Sequence, residues 1–288
     1  MWTNSHAIGY ARYSGYVLIR ARTAPVVRGS QREIGTMIEL LTQRLASARH
    51  ASSLTRAAIA LSFAILTSTE PAQAAGTAYG VDTADVGEAG GCKIEGWTSF
   101  ARSGDGLTTV SPSCIVSNIP RMEFVVQATR GRAEQDWYTS VASFLKFNLV
   151  PTEIGRFGFG LIVGATYDAV NDETASNFAY IPATLRLSNT LRVNLNGGWI
   201  GDRTNDQHFA SYGAGFDWLF MPKFSMTAEA FGQINGDDLG WETRPRFQGG
   251  VRYRPVDDFS VDLIYGRNIN GEGSHWLTLS TAYRFSLF

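Results

Sequence analysis

The 288-residue sequence has little of what disulfide-rich proteins, helical membrane proteins or common hydrolases require. It holds only two cysteines and four histidines, and its mean hydropathy is −0.09. Two cysteines are too few for a disulfide-dense scaffold, and the low hydropathy leaves no room for many membrane-spanning helices. The motifs G-x-S-x-G and H-E-x-x-H and a Walker loop are missing. We therefore expect no catalytic residue, cofactor or metal site.

Charged side chains are scarce as well. They make up 18% of the sequence, against about 25% in an average soluble protein, whereas aromatic residues reach 12% and there are 30 glycines. This composition favours strands that face apolar surroundings. The formal net charge is only −1 because a basic N-terminal part balances an acidic remainder that begins near residue 75. An acidic chain is a poor partner for nucleic acid.

The N-terminal part has the layout of an export signal. The basic residues Arg44, Arg49 and Arg56 precede an apolar run at 57–66, and a small-x-small triplet ends at Ala74. This order is typical of a secretory signal peptide, and the apolar run is shorter than the roughly 20 residues of a membrane-spanning helix. We predict cleavage near Ala74, with a retained amphipathic anchor as the alternative.

These features divide the sequence into four parts. Residues 37–74 form the predicted signal peptide, which begins at Met37, and residues 1–36 are either an extension that precedes the true start or a disordered arm. We expect residues 75–90 to be a flexible mature N-terminus. Residues 91–288 are expected to form the folded part.

The folded part shows the alternation of half-buried strands and no persistent helical period. In the segment 191–199, Val193 and Leu195 share one face, while Arg192 and Asn194 share the other. The same pattern recurs at 157–167, 246–253 and 259–265. Together with a weaker N-terminal hairpin, these segments predict about twelve strands. One face of the sheet is then large and apolar, and the other is polar.

Connections of two kinds alternate between these strands. The tight ones are 150–155, 188–190, 221–223 and 255–258, and the longer polar ones are 131–136, 168–176, 201–207, 235–243 and 268–275. Short turns at one end, long loops at the other and an even strand number predict an all-β fold, an antiparallel up-and-down transmembrane β-barrel. Aromatic residues near both ends of the strands favour this barrel over the alternative, a soluble two-sheet sandwich.

The last strand carries a family resemblance. Residues 276–285 alternate apolar side chains and include Tyr283 and Phe285, which resembles the final strand of Gram-negative outer-membrane β-barrel proteins of the porin-like superfamily. The resemblance implies a location in the outer membrane, contacts with outer-membrane lipid and lipopolysaccharide, and recognition by the barrel-assembly machinery. Because the chain continues to Phe288, the terminal aromatic role falls to either Phe285 or Phe288.

The inward faces carry more basic than acidic residues. The basic ones are Arg121, Lys146, Arg156, Arg186, Arg192, Arg246, Arg252 and Arg284, and the acidic ones are Glu123, Asp217, Glu229 and Asp262. A basic lumen favours anionic solutes. The same side chains could instead pair across strands and fill the interior. The sequence leaves both interpretations open.

Two functions follow from these interpretations. The first is passive passage of small solutes through a mildly basic lumen, and the second is a non-conducting structural or adhesive barrel. An outer-membrane hydrolase is a more distant third, since no Ser/His pair has a convincing spacing.

Two local expectations can be compared with a structure. Cys92 and Cys114 flank the first hairpin, and an exported chain meets an oxidising compartment, so we predict a disulfide between them, with two free thiols as the alternative.

Leu195 is expected to face lipid. An arginine in place of the neighbouring Asn194, on the lumen side, is expected to be tolerated.

Overall fold

The computed structural model describes residues 78–118, 121–133, 136–204, 206–235, 245–269 and 275–286. The predicted extension at 1–36, the predicted signal peptide at 37–74 and Phe288 lie outside these described residues. Within the described ranges, no helix is long and apolar enough to cross a membrane.

The described chain forms a closed antiparallel barrel of twelve strands. They are β1 (Gly91–Ala101), β2 (Gly106–Asn118), β3 (Arg121–Ala133), β4 (Asp136–Val150), β5 (Phe157–Asp168), β6 (Glu173–Arg186), β7 (Leu191–Asp202), β8 (Gln207–Met221), β9 (Phe224–Asn235), β10 (Arg246–Val256), β11 (Phe259–Asn268) and β12 (His275–Ser286). Strands adjacent in sequence pair with each other, and β1 also pairs with β12, from Gly91↔Ser286 to Ala101↔Trp276. This closure leaves no strand edge unpaired. The predicted fold class is confirmed, and the two-sheet sandwich is excluded.

Side chains alternate between the outside and the inside of the barrel, as the sequence predicts. Leu195 and Val251 point outward and are 41% and 44% exposed, whereas their neighbours Asn194 and Arg252 are 2% and 6% exposed. Exposed large apolar side chains occur on every strand. Contact of so much apolar surface with water is unfavourable by roughly 25 cal/mol per Å². The outward face is therefore suited to lipid.

Aromatic residues lie near both ends of this apolar surface. At one end, the rings of Phe224 and Tyr253 stack with their centroids 4.8 Å apart. At the other end, Trp199 stacks on His208 at 5.5 Å. These positions match the two interfacial girdles of a membrane barrel.

The connections differ less in length than the sequence predicts. We call the end that holds residues 151–156, 187–190, 222–223 and 257–258 the short-turn end, and the opposite end the loop end. At the loop end the strands extend so far that only residues 134–135, 169–172 and 203–206 join three of the pairs, and the longer connections are 236–245 and 269–274. The expected long loops are wrong for those three pairs. Backbone N–H and C=O groups continue to pair beyond the last apolar residue, so polar composition alone does not end a strand.

The predicted disulfide is present. Cys92 and Cys114 are direct partners in the β1–β2 ladder, and their sulfurs are bonded with the Cα atoms 4.1 Å apart. The bridge closes the first hairpin near the short-turn end. Such a bridge stabilises a fold chiefly by restricting the unfolded chain, and here it also fixes the strand into which the N-terminal residues lead.

Candidate functional site: the lumen and its N-terminal segment

Residues 78–86 lie inside the barrel, and we call them the lumenal segment. Thr83 and Ala84 are completely buried, and Val81 is 2% exposed. The segment contacts inward-facing residues of every strand from β4 to β11. This burial differs from the flexible terminus expected at 75–90, because the segment supplies partners that polar groups in the lumen require.

One end of the segment is held by a carboxylate of β9. Glu229, which is 3% exposed, accepts hydrogen bonds from the backbone N–H groups of Gly80 at 2.5 Å and Val81 at 3.0 Å. Gln248 on β10 donates to the same carboxylate at 2.7 Å and to the carbonyl of Ala78 at 3.3 Å. Glu229 thus accepts hydrogen bonds from two backbone N–H groups of the segment and from Gln248, which makes it the main polar anchor of this end.

The rest of the segment is held on both sides of the lumen. The Ala84 N–H donates to Thr184 Oγ1 at 2.9 Å, and the Ala84 carbonyl accepts from Asn148 Nδ2 at 2.6 Å. On the opposite wall, the Tyr79 hydroxyl donates to Asp262 Oδ1 at 3.5 Å. Burial raises the pKa of the Tyr79 phenol, so that it stays protonated as a donor.

Two acidic residues of the segment pair with basic residues of the wall. Asp82 Oδ1 lies 2.8 Å from Lys146 Nζ on β4, and Asp85 Oδ2 lies 3.6 Å from Arg192 Nη1 on β7. Lys146 is 5% exposed, and within the described part of the chain Asp82 is its only ion-pair partner. An ammonium buried without a partner is unfavourable by several kcal/mol. Glu123 lies opposite Lys146 on β3 and shares its charge with Lys93, so the segment supplies Lys146 with a carboxylate in direct contact.

Inward-facing glycines make room for the segment. A Cβ atom on Gly213 of β8 would lie 2.8 Å from Val81 Cγ2, and one on Gly250 of β10 would lie 2.6 Å from the Tyr79 hydroxyl. Both distances are shorter than non-bonded carbon and oxygen atoms tolerate. Wall and segment are thus complementary in shape as well as in charge.

The wall also contains ion pairs of its own. Arg192 Nε lies 2.8 Å from Asp217 Oδ2, and Asp217 also accepts from Asn194 Nδ2 at 2.7 Å and from Thr227 Oγ1 at 2.5 Å. Asn194 in turn accepts from Thr184 at 2.9 Å. Because Asn194 is buried in this network, the structure gives no support to the expected tolerance of Asn194→Arg.

Two further groups of charges lie towards β12 and β1. Arg252 Nε lies 2.7 Å from Asp262 Oδ1. Lys93 Nζ lies 3.4 Å from Glu95 Oε2 and 3.3 Å from Glu123 Oε1. Pairing across strands is one of the two interpretations of the inward charges. Arg252 with Asp262 on the neighbouring β11, and Lys93 with Glu123 two strands away on β3, agree with it.

The predicted lumen residues occupy three kinds of position. Buried on the inward face are Glu123, Lys146, Arg192, Asp217, Glu229, Arg252 and Asp262, and half-buried towards strand ends are Arg186, Arg246 and Arg284. Arg121 is exposed at the start of β3. Arg156 lies in the connection before β5, where it pairs with Glu153 at 3.1 Å, so its predicted inward position is wrong.

Sequence reasoning missed several charged residues of the lumen. Lys93 and Glu95 share the inward face of β1 with Trp97, which is 3% exposed. A large aromatic residue on the inward face obscured the alternation there. Asp82 and Asp85 were missed because they precede the first strand. The one signal that could have identified them is their negative charge, which complements the excess of basic residues predicted for the lumen.

Part of the inward face is apolar. A buried cluster lines β3 to β8 and consists of Val125, Phe144, Ile162, Phe178, Ile200 and Phe209, with Tyr180 packed against it. The ring centroids of Phe178 and Tyr180 are 5.2 Å apart. The lumen is therefore a mixed environment, with apolar packing beside the ion pairs.

The other predicted features lie on the surface. Tyr283 is 54% exposed on the outside of β12 and stacks with Phe285 at 6.1 Å. The roles of this strand in assembly and of lipopolysaccharide as a partner stay predictions.

In the described ranges, no group of three or more His, Cys, Asp or Glu residues could hold a metal ion.

A family model matches most of the chain. The model, described as "Uncharacterised conserved protein UCP029691", covers residues 63–285, which include the lumenal segment and the barrel as far as Phe285. The chain belongs to this family. A search of curated proteins found no match.

The UCP029691 barrel is similar to several solved outer-membrane proteins. The KdgM porin in complex with disordered oligogalacturonate has a TM-score of 0.54 and 9% identity, over 67% of this chain and 99% of KdgM. The NanC porin has a TM-score of 0.53 and 7% identity, over 66% and 98% of the two chains. An outer membrane channel from Pseudomonas putida F1 has a TM-score of 0.50 and 14% identity, over 70% and 97%. At these identities the likeness concerns the fold, which is that of outer-membrane porins and channels.

Proposed function

We propose that the protein is an outer-membrane channel for small anionic solutes, closed by its own lumenal segment. This proposal extends the predicted passive passage through a mildly basic lumen. The observation that carries it is the ion pair between Lys146 and Asp82, at 2.8 Å. A cation of the wall is matched there by a carboxylate that does not belong to the wall.

A barrel that only fills its interior can satisfy its charges across neighbouring strands, as Arg252 and Asp262 do at 2.7 Å. Lys146 faces Glu123 across the β3–β4 ladder and interacts with it electrostatically, but Glu123 pairs with Lys93 at 3.3 Å, and the carboxylate 2.8 Å from Lys146 Nζ is that of Asp82 in the segment. If the segment leaves, the buried ammonium requires another anion or water. A solute with a carboxylate or phosphate group meets that requirement.

The spacing of the acidic residues supports the same conclusion. Asp82 and Asp85 belong to one short stretch of chain, and they reach Lys146 and Arg192 on two different strands. The segment thus occupies the lumen much as a short acidic solute would. Basic side chains that line a pore select anions, and charge-assisted hydrogen bonds hold carboxylates and phosphates well.

The charges of the segment can be removed without changing its size. We expect the double variant Asp82→Asn/Asp85→Asn to conduct in planar bilayers with larger or more frequent unitary steps than the native protein. The reason is that both ion pairs with the wall are lost while Lys146 and Arg192 stay positive. The open steps are expected to favour anions, which reversal potentials in a salt gradient measure.

A matched control is Glu153→Gln, which removes an exposed acidic residue that pairs with Arg156 at the short-turn end. This variant is expected to conduct as the native protein does. Unchanged conductance of Asp82→Asn/Asp85→Asn, or open steps that favour cations, would contradict the proposal.

The second candidate function is a non-conducting structural barrel. The buried apolar cluster around Phe144 and Phe178 favours it, because this cluster fills part of the lumen independently of the segment. This candidate predicts that the charge variants remain silent in bilayers although they are folded.

A further inference from the structure

Two arginines near the short-turn end of the lumen have buried donors without a partner among the described residues. Arg254 and Arg284 project from inward-facing positions of β10 and β12 and are half-buried. The Nε atom of Arg254 and the Nη1 atom of Arg284 are buried, and neither has a hydrogen-bond partner in the part of the chain that the structure describes. Buried donors of this kind are rare in folded proteins.

The surrounding charges explain why these donors lack partners. Arg252, Arg254 and Arg284 are close enough for their positive charges to repel one another. The carboxylates of Asp262 and Glu95 act on Arg284 as well, but Asp262 pairs with Arg252 at 2.7 Å and Glu95 with a lysine of its own strand at 3.4 Å. Asp257 and Asp262 also act on Arg254 from a distance, but among the described residues neither Arg254 nor Arg284 forms an ion pair, which is unfavourable for partly buried cations.

We propose that Arg254 and Arg284 form a binding site for a carboxylate or phosphate group at the short-turn end of the lumen. A guanidinium group presents several donors in a planar fork that matches the oxygens of such groups. Both side chains face the lumen, so the ligand is a solute in the interior and not the headgroup of a surrounding lipid.

The proposed site lies close to a basic residue that the lumenal segment contacts. Arg192, which pairs with Asp85 of the lumenal segment at 3.6 Å, also acts electrostatically on Arg254. An anion that leaves Arg192 would thus meet the Arg254–Arg284 pair next. The inference rests on the proposed function for the class of solute, but binding at this site does not require conduction.

The test measures binding of inorganic phosphate to the folded full-length protein in detergent. We expect phosphate to raise the apparent unfolding midpoint in a saturable manner, because a ligand bound only by the folded state stabilises it. Chloride at equal ionic strength is expected to have no such effect, which separates binding from charge screening. Arg254→Met or Arg284→Met is expected to weaken phosphate binding about tenfold, and the double variant to abolish the phosphate-dependent rise.

A matched control and a second measurement separate a binding role from a structural one. Arg156→Met removes an exposed arginine that pairs with Glu153 at the same end and is expected to leave the phosphate effect unchanged. Without phosphate, Arg254→Met/Arg284→Met is expected to be at least as stable as the native protein, because two like charges are removed. A native protein that responds equally to phosphate and chloride would overturn the inference, as would a double variant that is less stable or fails to fold. Neither result would alter the conductance expected of the Asp82 and Asp85 variants.

Discussion

Replacement of Leu195 by arginine is expected to lower the free energy of unfolding of the barrel in lipid vesicles by about 2–4 kcal/mol. Leu195 is 41% exposed on the outward face of β7, near the middle of the strand. A guanidinium group at this depth must enter hydrocarbon or draw water and headgroups inward. Urea unfolding followed by tryptophan fluorescence measures the change.

The matched control places the same charge near the membrane edge. Val256 is 60% exposed at the end of β10, beside the short turn 257–258. Val256→Arg is expected to cost only about 0–1 kcal/mol, since the penalty falls towards the interface. Equal costs at Leu195 and Val256 would show that the outward face does not span hydrocarbon.

The second large effect is expected from Gly213→Val, which should conduct in planar bilayers with larger or more frequent unitary steps than the native protein. A Cβ atom at this position would lie 2.8 Å from Val81 Cγ2 and 3.3 Å from Phe231 Cβ. The barrel wall is held by backbone hydrogen bonds on both sides, whereas the lumenal segment is held by side-chain contacts. The segment is therefore the part that moves, and planar-bilayer recordings detect its displacement.

The control for this variant is Gly197→Val on the outward face of β7. A Cβ atom there has no neighbouring atom within 4 Å, so the variant is expected to fold and to conduct as the native protein does. Folding of Gly213→Val can be verified by gel mobility before and after heating. If the folded variant shows no unitary steps beyond those of the native protein, the result would favour the non-conducting structural barrel.

The strands could be predicted because each one carries its own pattern. Alternation within about ten residues determines which side chains face lipid, and it placed Leu195 outside and Arg192 inside as the structure has them. The disulfide could be predicted for a similar reason. Cys92 and Cys114 are only 22 residues apart and belong to one hairpin, so local geometry brings them together.

The lumenal segment could not be predicted in this way. It has no strand or helix period, and its partners are remote in sequence: Gly80 and its acceptor Glu229 are separated by 149 residues. The inward residues of the strands indicated an excess of positive charge in the lumen. The actual charge balance also depends on Asp82 and Asp85, which belong to the lumenal segment and not to a strand. A segment without regular secondary structure has no hydrophobic periodicity in its sequence. Its position inside the barrel is therefore known only from the structure.

A reversible tether between the segment and the wall tests the central claim most directly. In Val81→Cys/Gly213→Cys the two new side chains lie close enough for a disulfide, and the bridge can be verified by mass spectrometry. The account predicts that the oxidised variant shows smaller or rarer unitary steps in planar bilayers than the native protein and that reduction raises its conductance to at least the native level, while the same reductant leaves the native protein unchanged. Equal conductance of the oxidised and reduced variant, with the bridge verified, would contradict closure of the lumen by its N-terminal segment.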